Sequence, residues 1–172
     1  GNKQDALYEP LCAYLCTQVG GRRVKLDVSR EETFVCNRVR HAIRTHIISY
    51  VRPDGTFAAR KMECFSDQGA YASHGHGIAA KGMGAFPQLY PCENLECDAY
   101  TVFTNKPVSG AMRGYGIPQA MFAGESHIDD VARALHMDPL AFRRKNMMPV
   151  GYVDDFSKNE NYSDSLNQCI EK

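Results

Sequence analysis

The chain reads as an α+β fold in which helices pack on a mixed, largely antiparallel sheet. Three observations predict it. Runs of β-branched and aromatic residues at 43–51 and 57–65 flank the turn Arg52-Pro53-Asp54-Gly55, the pattern of a β-hairpin. A long helical periodicity opens at Pro118, in proline's favoured first position, and carries Met121, Phe122, Ile128, Val131 and Leu135 on to about His136. Helices and antiparallel strands are mixed without strict βαβ alternation, which favours a layered α+β arrangement.

The other elements follow in order. Leu7, Leu11, Tyr14, Leu15 and Val19 recur at helical spacing over 5–19, and Gly20-Gly21 closes the segment. Pro10 requires that this helix start late or bend early. Residues 24–28 alternate like a short half-buried strand, and Ser29 with Glu32 forms the spacing of a capping box. The small-residue stretch 69–77 leads into a weakly helical segment at 78–86, and 97–104 reads as a further strand. Asp138-Pro139 caps a helix running to about Met147. Residues 151–163 are polar and irregular, with a last short helix at 164–170.

Composition excludes several function classes. The 172 residues fit one domain with a real core. Lys plus Arg number 20 and so do Asp plus Glu, and the basic runs are too short to grip a phosphate backbone, so nucleic acid is not an expected partner. Apolar stretches fall far short of the ~20 residues that cross a bilayer, and no charged-then-apolar leader opens the chain. Seven cysteines, an odd count at ordinary density, point to a reducing cytoplasm and thiols acting as small apolar groups. The opening Gly1-Asn2-Lys3, without Met, reads as the trace of a cleaved tag or as a piece cut from something larger.

Two glycine-rich stretches are candidate sites. Gly110-Ala111-Met112-Arg113-Gly114-Tyr115-Gly116 precedes a helix, and its glycines let backbone approach a ligand closely. It lacks the Gly-Lys-Ser/Thr of a phosphate loop, and a plain connection explains the glycines equally. The second, His74-Gly75-His76-Gly77, joins Cys12/Cys16 and Cys92/Cys97 in raising a zinc module with no catalysis. Against zinc, Cys12 and Cys16 sit on an apolar helical face rather than in a loop knuckle. Ser29, Ser73 and Ser126 have no nucleophile elbow around them. The adjacent acids Glu31-Glu32 and Asp129-Asp130 read as solvated faces.

Taken together, these blocks resemble the xanthine dehydrogenase and aldehyde oxidase family, in its molybdenum cofactor-binding subunit. Gly1-Asn2-Lys3-Gln4-Asp5 resembles the end of its Gly-Gly-Phe-Gly-x-Lys-Glu/Gln motif. Residues 26–32 resemble the strand and turn that follow, and Arg40-His41 its Arg-His pair. Residues 110–116 resemble its Phe-Arg-Gly-Phe-Gly loop, followed by Pro118-Gln119. Arg143-x-Lys145-Asn146 resembles its downstream Arg-x-Lys-Asn helix. The order and spacing hold from residue 1 to about 151.

The resemblance implies that 1–150 is part of a molybdopterin cofactor-binding domain, with 151–172 an irregular tail and short helix continuing into the rest of the subunit. It implies an oxidoreductase that hydroxylates carbon with oxygen from water, passing electrons through iron–sulfur clusters to FAD on other domains or subunits. Gly1, Met112 and Arg113 would lie against the cofactor. Gln4 would hydrogen-bond a heterocycle, Tyr115 would stack on its ring, and Lys81 would oppose charge growing on it. The expected catalytic set is Gln4, Lys81, Arg113 and Tyr115, with no metal bound directly by protein side chains.

Likeness to bacterial purine hydroxylases at Asn2-Lys3-Gln4-Asp5 and at 70–76 favours xanthine, hypoxanthine or a similar N-heterocycle as substrate, and purine metabolism as context. An aldehyde or carbon monoxide oxidiser is the alternative within the family. Carbon monoxide enzymes carry a cysteine where Ala111 and Met112 stand, and Tyr115 for Phe adds a hydroxyl that needs a partner if buried. The family's catalytic Glu lies beyond this chain, so the chain alone is expected to be inactive.

Overall fold

A computed structural model describes residue 6, residues 8–154 and residues 158–172. Its centre is a three-stranded sheet in the order β1 (Ile43–Val51), β2 (Phe57–Gly69), β3 (Asn94–Phe103). β1 and β2 form the predicted hairpin, antiparallel from Ile43↔Ser66 to Val51↔Phe57, with a bulge at Tyr50/Val51. In the turn, Arg52 N donates to the Thr56 carbonyl at 2.8 Å and Asp54 accepts from the Thr56 amide at 2.9 Å. β3 joins the other edge of β2 in parallel, from Ala59↔Asn94 to Gly69↔Phe103. The sheet is thus half antiparallel and half parallel, because helix α3 (Gly75–Ala85) spans from β2 to β3 and returns the chain in the same direction.

The pleat sorts β2 into two faces. Arg60, Met62, Cys64, Ser66 and Gln68 are buried, while Lys61, Glu63 and Phe65 alternate toward the more open side. On the buried side, α3 and α4 (Ile117–Ala134) lie against the sheet and each other. Met62 and Cys64 pack with Met83, Phe86 and Ala120, and a second cluster joins Phe57, Tyr90, Ile128, Ala132 and Phe142. Phe142 belongs to α5 (Pro139–Asn146), where Asp138 caps the Ala141 amide at 2.8 Å. On the open side, Phe65 and Tyr100 stack with centroids 5.0 Å apart, and Lys61 bridges to Glu96 at 2.7 Å.

Polar side chains tie the helices to the hairpin. Asn146 accepts from the Phe57 amide at 3.1 Å and donates to the carbonyls of Gly55 at 2.9 Å and Phe142 at 3.0 Å. Truncating Asn146 to Ala orphans buried backbone groups, so the expected loss is about 2–3 kcal/mol, read as a lower urea midpoint. Arg143 reaches Glu125 at 2.9 Å and Asp129 at 2.6 Å. Asp129 is therefore a tertiary partner rather than part of a solvated face, while Asp130 pairs with exposed Arg133 at 2.7 Å.

Two further expectations change, at 24–28 and at the start of α3, while the first helix and the capping box form as read. Residues 24–28 form no strand, since among the described residues no neighbouring edge supplies a ladder. The first helix, α1 (Glu9–Gln18), starts late with Pro10 in its first turn, and Gly20 and Gly21 (φ 67° and 78°) end it. Residue 8 is its N-cap, and residues 5 and 7 lie outside the described residues. The segment predicted at 78–86 begins earlier, at Gly75, so α3 starts within the histidine–glycine stretch. The capping box of α2 (Arg30–Cys36) forms as read, with Ser29 and Glu32 exchanging bonds of 2.8 and 3.2 Å. The closing helix, α6 (Ser165–Ile170), follows an isolated bridge between Val153 and Glu160.

Candidate functional site

The glycine-rich loop 110–116 runs from under β2 to the start of α4. Gly110 donates to the Val39 carbonyl at 2.9 Å, which pins the loop beside the segment leading into β1. The turn that follows is closed by the Tyr115 amide on the Met112 carbonyl at 2.8 Å and the Ile117 amide on the Gly114 carbonyl at 3.0 Å. Tyr115 adopts φ 49°, between Gly114 and Gly116, both at φ 92°. A non-glycine residue held left-handed is uncommon and persists only where its surroundings impose it. The surroundings are α3, because a Cβ on Gly116 would run into the Ile78 carbonyl oxygen.

Tyr115 is half-buried, with its ring edge-on to His74 at a centroid distance of 6.2 Å. Its hydroxyl lies 3.1 Å from His74 Nδ1, so the added hydroxyl has the partner that burial demands. The phenol occupies space that Gly77 leaves open, since a Cβ there would stand 3.0 Å from the hydroxyl oxygen. Lys81 is exposed on α3, one turn beyond Gly77 and on the same helical face. Arg113 is also exposed and Met112 partly buried. Gly1 and Gln4 lie outside the described residues, so Lys81, Met112, Arg113 and Tyr115 are the predicted site residues that the structure brings to one region.

Blocks far apart in sequence brace this loop. Arg40 donates to the Arg113 carbonyl at 2.8 Å and reaches Gln119 Oε1 at 3.4 Å, while Gln119 donates to the His41 carbonyl at 3.0 Å. The Arg40-His41 and Pro118-Gln119 pairs thus act on each other and on the loop backbone. His41 is 2% exposed, and among the described residues neither ring nitrogen has a hydrogen-bond partner. Burial holds it below the ordinary histidine value, opposed by the Gly110 backbone and the charge of Asp67. Asp67 itself is held at about 2 by Lys106 and Thr104.

Sequence reasoning did not single out His74 as the partner of Tyr115, or Arg40 and Gln119 as braces. The available signal was the Tyr115 hydroxyl, which required a donor or acceptor nearby. Among the described residues, no group of three or more His, Cys, Asp or Glu could hold a metal ion, and no helix is long and apolar enough to cross a membrane.

The loop and α3 together offer cations and backbone without a carboxylate, as neither 110–116 nor Gly75–Ala85 contains Asp or Glu. Such a donor set suits an anionic ligand approaching the backbone closely. The family model for the molybdopterin cofactor-binding domain matches residues 1–147. The chain is 43% identical over all its 172 residues to the xanthine dehydrogenase molybdenum-binding subunit of Escherichia coli O157:H7, of which it covers 23%. It is 37% identical over 151 residues, 88% of its length, to the nicotinate dehydrogenase large molybdopterin subunit of Eubacterium barkeri, of which it covers 35%. Among solved structures, the aldehyde oxidoreductase from Desulfovibrio gigas superposes with a TM-score of 0.88 at 30% identity, over 99% of this chain and 19% of that one. The chain therefore spans about a quarter of the xanthine dehydrogenase subunit it matches.

Proposed function

The chain belongs to the family of molybdopterin cofactor-binding domains, and on that premise we propose that it is part of a molybdenum hydroxylase acting on a purine or similar N-heterocycle. The observation that carries this reading is Tyr115, an aromatic forced left-handed at a loop turn, with the Lys81 helix beneath it. A flat ring laid on Tyr115 gains stacking worth about 0.5–1.5 kcal/mol beyond its buried area. Lys81, one turn along the same face, suits a ring that accumulates negative charge during attack. Gln4, from the motif that opens the chain, would hydrogen-bond the heterocycle's edge.

The donor set fits molybdopterin. Met112, Arg113 and Gly1 are the residues proposed to hold it, with Arg40 keeping the Arg113 backbone in place. When bound, this cofactor transfers water-derived oxygen to carbon and accepts the electrons released. Residues 1–150 form part of the cofactor domain in this reading, and 151–172 lead into the rest of the subunit. Iron–sulfur and FAD domains or subunits are its electron-transfer partners, and the compartment is the cytoplasm.

A second reading, an aldehyde oxidiser, draws on the likeness to the aldehyde oxidoreductase structure. Dye reduction by the purified parent enzyme separates the two. Turnover of hypoxanthine or xanthine is expected, and turnover of simple aldehydes with none of either purine would overturn the heterocycle reading. The 172-residue chain by itself is expected to give no turnover.

A further inference from the structure

We propose that His74 is a positioning residue that fixes the Tyr115 hydroxyl as a directional hydrogen-bonding contact for the polar edge of a ring substrate. The inference rests on the functional reading above and adds a specificity determinant to it. His74 occupies the N-cap position of α3, yet its side chain makes no capping bond there. Its Nδ1 instead faces the Tyr115 hydroxyl at 3.1 Å, with both rings half-buried and edge-to-face. Gly77 leaves the room this requires, and the closed turn at Met112–Tyr115 fixes the phenol from its backbone end. The ring is thus held at both ends, by its left-handed backbone and by an imidazole.

A phenol has one hydrogen to give and two lone pairs to share, and the His74 bond commits one of these. An unprotonated Nδ1 takes the phenol hydrogen and leaves the oxygen to accept from a ring N–H. An Nδ1–H reverses the pair and leaves the phenol hydrogen for a ring carbonyl or nitrogen. In the first arrangement Tyr115 can only accept from a ligand, and in the second its hydrogen is free to donate, so His74 decides which polar function the phenol offers and limits its direction. A phenylalanine at this place could only stack. The wall therefore favours rings that carry N–H, C=O or ring nitrogen over plain aromatic rings.

The test uses the molybdenum-loaded parent enzyme, with hypoxanthine as the polar ring and benzaldehyde as the plain one. His74→Phe and Tyr115→Phe are each expected to raise KM for hypoxanthine about fivefold to tenfold, the size of one net hydrogen bond, and to lower the preference for hypoxanthine over benzaldehyde by a similar factor. The double variant should be no worse than either single one, because both remove the same bond. His74→Asn, whose amide reaches the place of Nδ1, should restore most of the loss. Tyr115→Phe adds no volume, so the result does not hang on one variant folding.

A second readout needs no substrate. The 19F signal of 3-fluorotyrosine placed at 115 should move in His74→Phe and return in His74→Asn. Additive KM effects, or an unmoved fluorine signal, would overturn the proposal. If the wild-type enzyme oxidises benzaldehyde but neither purine, the heterocycle reading fails and takes the substrate role of His74 with it. A shifted fluorine signal would in that case still establish the bond, so the two failures are distinguishable.

Discussion

Alanine at Gly116 is expected to destabilise the fold by about 2–5 kcal/mol and to abolish molybdopterin loading of the parent enzyme. Two independent penalties combine. At φ 92° a side chain costs about 1–2 kcal/mol simply by being there. The new Cβ would also collide with the Ile78 carbonyl oxygen and stand 3.2 Å from the Gly82 amide nitrogen, both backbone atoms of α3 that cannot rotate away. Relieving that clash shifts α3 against the loop, at the one to three kcal/mol typical of overpacking. The same shift moves Gly77 and Lys81 relative to Tyr115, so the site is lost along with stability. Gly84 is the internal control: it lies in α3 at an ordinary φ, and a Cβ there meets nothing within 4 Å. Its change to Ala should stabilise by about 0.5–1 kcal/mol. Amide exchange across α3 and the start of α4, with molybdenum content beside it, reads both variants. Equal protection in the two would sink the steric argument.

What was legible in the sequence was local chemistry. The hairpin declared itself because its turn and its flanking strands lie within one short segment, and the Ser29 and Asp138 caps because a cap needs only four residues. The segment at 24–28 had the alternation of a strand and failed for want of a partner, which no local pattern reports. The parallel docking of β3 escaped for the same reason, since a helix between two strands allows several pairings until the sheet is assembled. At the site, the family blocks singled out the loop and Tyr115, whose part in the site is a proposal. They did not indicate that Arg40, Gln119 and His74, drawn from three separated segments, would converge on it. Long-range polar bonds depend on the finished packing and leave no periodicity behind. Gly1 and Gln4 lie outside the described residues, so the proximity of the opening motif to the Tyr115 turn is still a proposal.

Arg60 is a residue that no sequence pattern distinguished, and its truncation is expected to rank with Gly116→Ala in cost. Its side chain is 1% exposed, with the guanidinium 4.0 Å from the Phe86 ring centroid and 4.8 Å from that of Phe57. It donates to the Tyr90 carbonyl at 2.7 Å, while among the described residues Nε and Nη2 have no partner and no carboxylate forms an ion pair with it. Burial pulls its pKa down from the ordinary arginine value to about 10, against the opposing pull of Cys92, Cys97, Tyr90 and Glu125. A base whose proton is held less tightly in the fold costs stability while charged. That cost is fully present below about pH 10 and fades as pH rises from there toward the ordinary arginine value. The charge therefore opposes folding, and what Arg60 contributes is shape: a flat body filling the slot between aromatic rings. Arg60→Met keeps much of that volume and sheds the charge, so it should fall within about 1 kcal/mol of the native protein at neutral pH. Arg60→Ala empties the slot and should lose about 3–5 kcal/mol, or roughly 10 °C in thermal midpoint. Arg60→Lys should lie between them, because an ammonium keeps the desolvation cost and gives up the planar stacking. If Met proves as damaging as Ala, the cation itself is what the slot needs, and the account of Arg60 as filler for the Phe57–Phe86 gap is wrong.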